Sequence, residues 1–469
     1  MISVSKKISW IGAALIAASL AGCNVGPKYK RPVVTVPDDY RGAPVNVAAA
    51  PGSSFGEQKW FDVFQDPQLQ ALIRTAVQNN YDVRIAATRI LAAQAEVGIA
   101  KSDELPSAAG LVTINNNRNS RSKFFNSYET SNTQLALGFA WSLDFWGRYR
   151  NATAAARSEL LAEEWVKKQV LDSLVASIAS SYFTLRDLDL QLDISQKTLE
   201  TNRDSLKLTQ VLVDNGATSL LDVRQAEQSV YGASAVIPLL EKQIQQTENL
   251  LSILIGRNPG EIMRGLEISA QPHMPEVPAG LPSALLQRRP DIQETEARLM
   301  ALNARIGVAR AAFFPTIALT GVAGTQSIAL TRLFSGPAGM WTFAGSLIQP
   351  LFNGGAIKKG VELAEAQEQE GVLQYQQTIQ QAFREVSDAL IAYAKDQEAR
   401  QQQELLAQSA REARQLSDLR YRGGASSYLE VLDSNTRLFA AELLLAQAQL
   451  RELLDYIQLY HALGGGWDQ

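Results

Sequence analysis

The chain has 469 residues, with 44 basic and 48 acidic side chains, a formal charge of −4 and 46% hydrophobic residues. That balance gives no basic footprint for nucleic acid. Cys23 is the single cysteine, which excludes an internal disulfide, and the two histidines, His273 and His461, have no acid, cysteine or second histidine at ligand spacing. With no glycine-rich phosphate loop and no nucleophile elbow, neither an enzyme nor a resident metal or cofactor is expected.

Lys6 and Lys7 precede a largely apolar stretch from Ile8 to Leu20, followed by Ala21, Gly22 and Cys23. This is the pattern of a secretory signal, and it is too short for a spanning helix. Cys23 stands where a bacterial lipoprotein signal puts the residue that becomes the acylated N-terminus; an ordinary signal with a nearby cysteine is the plainer alternative. Asn24 carries no inner-membrane retention feature, so the expected location is the outer membrane, with several acyl chains as a stable anchor. Cleavage after residue 22 removes Lys6 and Lys7 and no acid, moving the formal charge from −4 to −6. The stretch from Gly26 to Phe55, rich in proline, valine and alanine, reads as an extended arm between lipid and body.

The body is a tandem duplication. Asp82, Arg89, Ala95, Gly98, Ala100 and Pro106 recur 209 residues on as Asp291, Arg298, Ala304, Gly307, Ala309 and Pro315. Gly216, Ala217, Ser219, Leu221 and Val223 recur as Gly424, Ala425, Ser427, Leu429 and Val431. So long a period is no solenoid unit, and each copy must be a multi-element structure. The expected divisions are a signal peptide at 1–22, an anchored arm at 23–56, a first repeat at 57–281 and a second at 282–469.

In chain order the first copy is expected to hold a helix over Asp66–Glu104, a weak strand after Pro106, a polar external loop over Asn115–Thr133 and a strand over Gln134–Asp144. A very long helix over Arg148–Val213 follows, then a turn at Asn215–Gly216 and a helix over Leu220–Ile255. In the long helix Leu171, Ile178, Leu185, Leu192, Leu199, Leu206 and Val213 recur every seven residues, a coiled-coil seam. The positions three further on alternate between apolar and small polar, as Leu174, Ser181, Leu188, Ser195, Asn202 and Thr209. That suits helices laid side by side in a wall with one wet face. At 1.5 Å per residue the helix extends about 100 Å, far beyond a globular helix. The second copy repeats the plan with helices over Pro282–Phe313, Ala356–Tyr421 and Tyr428–Leu463, a turn at Gly423–Gly424, and strands after Pro315 and around Trp341–Leu347.

The strands carry the membrane reading. Leu135, Leu137, Phe139, Trp141 and Leu143 alternate with Gln134, Ala136, Gly138, Ala140, Ser142 and Asp144, and Trp341, Phe343 and Leu347 alternate with Thr342, Ala344 and Ser346. About ten alternating residues match one membrane-crossing strand. Four strands cannot close a barrel, and an open edge in lipid leaves backbone groups unpaired, so the chain must oligomerise. Two chains give eight strands and a filled interior, three give twelve and a lumen. Small inward residues favour the wider barrel, and spacing alone leaves the number open.

These residues resemble the TolC-like outer membrane channels, and within them the lipoprotein branch typified by OprM. The marks are the lipobox followed by Gly26, Pro27, Tyr29, Arg31 and Pro32, the duplicated plan, the turn motifs from Asn215 to Val223 and from Tyr421 to Asp433, and the ending from Ala462 to Trp467. The resemblance implies an α+β membrane protein: a homotrimer whose twelve-stranded outer-membrane β-barrel, four strands per chain, continues into a periplasmic α-helical coiled-coil barrel. It implies a passive exit duct of a tripartite efflux pump, working with a periplasmic adaptor and an inner-membrane resistance-nodulation-division (RND) transporter. A duct for type I secretion or heavy-metal efflux is the alternative. By the same resemblance the hairpin tips, Gly216, Ala217, Thr218 and Ser219 with Gly424, Ala425, Ser426 and Ser427, are adaptor-docking surfaces. Leu429 and Asp433 constrict a periplasmic gate, with Glu430, Tyr421, Arg422 and Asp222 as candidates for its links, and three copies of Asp433 form an acidic ring. A trimeric stalk would leave the strands unexplained, and a plain porin would leave the long helices unexplained.

Overall fold

The computed structural model describes residues 24–42, 55–118, 120, 129–271 and 282–467. The signal peptide, Cys23 and His273 lie outside the described residues. In chain order the elements are α1 Trp60–Val63, α2 Pro67–Asn79, α3 Tyr81–Ser102, β1 Ser107–Arg118, β2 Glu129–Leu143, α4 Arg148–Asp214 and α5 Leu220–Leu254. The second copy follows with α6 Pro282–Arg288, α7 Pro290–Ala311, β3 Thr316–Ser327, β4 Gly339–Ile348, α8 Ala356–Arg422 and α9 Tyr428–Ala462. α4 and α8 have 67 residues each, and α5 and α9 have 35 each, so the duplication holds element for element. The chain folds as two compact units, one from Met1–Val33, Arg89–Glu164 and Glu294–Gln376, the other from Val34–Thr88, Trp165–Gln293 and Gln377–Gln469.

The first unit holds the sheet, antiparallel in the order β1-β2-β3-β4. Register puts Leu137 opposite Gly110 and Ala323, Trp141 opposite Leu319, Ala323 opposite Trp341, and Gly321 between Phe139 and Phe343. Directly opposed residues share a face, so the two apolar series found in separate copies form one continuous apolar face. That face is open in the single chain, with Leu137 70% and Trp341 80% exposed. Gly321 is required there because the Phe139 ring lies where its side chain would be, and the Phe139 and Phe343 rings sit 6.5 Å apart across it.

The polar run expected as a loop over Asn115–Thr133 is shorter than that. β1 continues to Arg118 and β2 begins at Glu129, paired through Asn115 opposite Asn132 and Arg118 opposite Glu129. Polar side chains do not stop a ladder whose bonds are made by backbone, and Ser131 adds a 2.7 Å hydrogen bond to Asn116. The arm also departs from expectation. Residues 24–31 are extended but fastened: the Asn24 and Asn151 amides exchange hydrogen bonds of 3.2 and 2.8 Å, and Arg31 grips Glu296 with two bonds of 2.6 Å. Such bidentate charge-assisted contacts turn a spacer into a strap.

The second unit is helical. The helix expected over Asp66–Glu104 breaks at Asn80, whose side chain accepts from the Asp82 and Val83 amides, capping α3, and donates to the Leu254 carbonyl at 2.9 Å. The helix expected over Pro282–Phe313 breaks at Arg289. The residue before a proline is pushed out of helical geometry, and Arg289 binds Asp291 at 2.7 and 3.0 Å, Glu385 at 2.7 Å and the Ala462 carbonyl at 3.1 Å. Asp66 is fully buried and accepts from the Gln68 and Leu69 amides, the Tyr182 hydroxyl and the Leu266 amide, which satisfies the buried carboxylate.

The seam of α4 is buried at Leu171, Ile178, Leu185 and Leu199, as expected. Its polar partners are not wet, however: Ser195, Asn202 and Thr209 are buried too. Ser195 and Thr209 donate to carbonyls one turn back at 2.7 and 2.8 Å, and Asn202 donates to the Ser229 carbonyl at 3.1 Å. Local back-bonding lets small polar residues enter a packed seam. His461, with no acid near it in sequence, meets the buried Asp172 carboxylate at 2.9 Å.

Candidate functional site

The two hairpin tips belong to the second unit and are built alike. α4 ends in a left-handed turn with Gly216 at φ +73°, its amide bonded to the Val213 carbonyl and that of Ala217 to Leu212. α8 ends with Gly424 at φ +74°, its amide on Tyr421 and that of Ala425 on Arg420. This pair of bonds is the Schellman closure, which satisfies the last carbonyls and needs a residue without a Cβ penalty. Gly216, Ala217, Ser219, Gly424, Ala425 and Ser427 are exposed, while Thr218 and Ser426 are half-buried.

The tips differ in how the next helix starts. At the first, Asp222 accepts from the Ser219 amide at 3.3 Å and from the Thr218 hydroxyl, closing a capping box. At the second, Glu430 occupies the equivalent third position but reaches across the turn to Arg420, at 2.9 Å. One hairpin is therefore capped within its own helix start, and the other is clasped between its two helices.

Tyr428 joins the hairpins. It packs with Val431 and Ala226 in a buried cluster flanked by Leu206, Tyr421 and Leu432, its ring 5.6 Å from that of Tyr421. Beside it a groove of about 500 Å³ is lined by Leu208, Thr218, Asp222, Tyr421, Arg422 and Ser426, among others. Burial, with Asp222 adding to it, pushes the Tyr421 hydroxyl above its ordinary value, against the opposing pull of Thr209. Leu429, 59% exposed, and Asp433 lie one turn apart on the open side of α9.

Three of the predicted gate residues, Tyr421, Arg422 and Asp222, thus share one groove. Leu429, Glu430 and Asp433 are exposed on α9 outside that lining. In the single chain the charged members all have local partners: Asp222 is held by its cap, Arg422 by Asp418 at 3.0 Å, Glu430 by Arg420, and Asp433 by Arg437 at 2.8 Å. Sequence reading missed Arg437, Arg420 and Tyr428. The signal for Arg437 was there, a basic residue four positions after an acid on a helix. Arg420 to Glu430 spans a turn and has no such period.

The sequence signature of the outer membrane efflux protein family matches residues 72–257 and again 281–465, one match per copy. The chain belongs to that family. Members similar to it include the probable efflux pump outer membrane protein TtgC of Pseudomonas putida, 38% identical over 98% of this chain and 96% of the relative. The cation efflux system protein CusC of Escherichia coli O6:H1 is 34% identical, over 97% and 98%. Among solved structures, the open state of the Neisseria gonorrhoeae MtrE outer membrane channel superposes with a TM-score of 0.87 at 31% identity, covering 95% of this chain and 99% of that one. As an outer membrane efflux protein, the chain presents its hairpin tips and the groove around Tyr421 as the candidate functional surfaces.

Proposed function

We propose that the chain is the outer-membrane exit duct of a tripartite efflux pump, acting as a homotrimer whose twelve strands close a barrel. The observation that carries this reading is the sheet itself: one face apolar and open, and two edges, β1 and β4, each paired on one side only among the described residues. In lipid such edges must be paired, and a second copy of the same sheet is the partner that geometry supplies. Cys23 is the lipid anchor. An adaptor docks on the tips at 216–219 and 424–427, and an inner-membrane RND-type transporter delivers the cargo. Leu429, Asp433, Glu430, Tyr421, Arg422 and Asp222 form the gate, opened by whichever partner binds the open form more tightly.

TtgC, a probable efflux pump component, and MtrE, an outer membrane channel, support a duct for small molecules. CusC, named for cation efflux, favours a cation-exporting pump as the second reading. Light scattering on protein extracted from outer membranes in mild detergent, corrected for bound detergent, tests the assembly. Three chains per particle, recovered only with detergent, is the expected result; a soluble monomer overturns it.

A further inference from the structure

The two copies are covered unequally. In the first unit α7 packs on α4: Arg305 pairs with Glu159 at 2.9 Å, and a side chain at Gly307 would collide with the Asn151 amide. Gly98 of α3 is the counterpart of Gly307, 209 residues earlier. A side chain built on Gly98 meets nothing within 4 Å among the described residues. Around it Ala92, Ala95 and Ile99 are exposed, while their counterparts Ala301, Ala304 and Val308 are buried or half-buried.

The long helices show the complementary inequality. Asn151 and Ala155, on the face of α4 that meets α7, are buried, whereas Lys359 and Leu363, 208 residues on in α8, are exposed, Leu363 to 60%. Inside the chain, the long helix of copy one covers the short helix of copy two. The same two surfaces are left over at the opposite ends of the repeat, one on α8 and one on α3.

We propose that the face of α8 carrying Lys359, Leu363 and Gln367 packs on the face of α3 carrying Glu96, Gly98 and Ile99 in a second copy of this chain. The contact repeats between chains the one that α4 and α7 make within a chain, and it rests on the homo-oligomeric reading above. It is heterologous, joining different surfaces, so successive chains close a ring rather than a two-fold pair. Charge suits it. Lys358 and Lys359 converge on Glu362, at 3.8 and 2.6 Å, and Glu96 of the next chain brings a second acid to that cationic turn. The bare Cα of Gly98 admits the close helix approach that Gly307 admits at Asn151.

Cross-linking tests the pairing. In detergent-extracted particles, Gly98→Cys with Lys359→Cys in one chain should be converted by a short bismaleimide to two- and three-chain species. Neither single variant nor the unsubstituted chain should give them, since each contact uses two different surfaces. Ile99→Cys with Leu363→Cys is the second pair, in case Cys at position 98 disturbs assembly, and should give the same ladder. Light scattering on the same samples separates the two ideas. Three-chain particles without a ladder from either double variant overturn the pairing and leave the oligomer standing, as does a dimer from a single variant. A monomeric particle overturns the homotrimer reading, and the pairing with it.

Discussion

Asp187 is 2% exposed on α4, with Gln191 bound to one oxygen and no partner for Oδ1 among the described residues. Burial raises it to about 6, Gln191 opposing. A carboxyl raised above its unfolded value favours the folded state fully below that unfolded value, and the benefit disappears as pH rises through 6. Asp187→Asn should therefore stabilise the protein at pH 7.5, by about 2–3 kcal/mol, with the gain fading toward pH 4. Thermal unfolding of both proteins across that range is the measurement, and an equal gain at every pH would locate the effect in packing. Asp433 is the other residue whose surroundings change its meaning. Arg437 at 2.8 Å makes it half of an ion pair rather than a bare acid. Asp433→Ala should raise single-channel conductance at neutral pH by relieving the constriction. Arg437→Ala should instead increase cation selectivity by freeing the acidic ring; unchanged currents in both would remove these residues from the gate.

At the scale of the element, the hairpin is the unit. Its turn was legible because left-handed geometry has a sequence mark, a glycine after a long apolar period, and both Gly216 and Gly424 carry positive φ. Gly423, beside it, does not. Gly424→Ala should accordingly cost roughly 1–2 kcal/mol, while Gly423→Ala should be nearly neutral, as read by denaturant unfolding. Equal costs would mean that crowding rather than backbone conformation fixes the turn. The helix breaks at Asn80 and Arg289 were missed for the opposite reason. Asn80 caps through a carbonyl 174 residues away, and Arg289 is held by groups on α8 and α9, partners that no local pattern announces. The strap was misread likewise: proline and alanine content describes an extended chain, but only Glu296 and Asn151 decide that it is tied down.

For the molecule as a whole, the sheet edges set the expectation. If β1 of one chain pairs with β4 of the next, amide exchange at both should be as slow in the assembled particle as at β2 and β3. Fast exchange confined to β1 and β4 would show that the edges stay open. The duplication, the two long helices, the turns and the alternating strands were determined by the sequence alone, because periods of 7 and 2 and a repeated register are local properties of a chain. What only the tertiary structure decided was partnership. It placed the apolar series of both copies on one sheet face, gave His461 to Asp172 and Arg420 to Glu430, and buried polar seam residues that pattern alone made wet. Each of these is a contact across the fold, and its energy depends on a distance that sequence spacing does not encode.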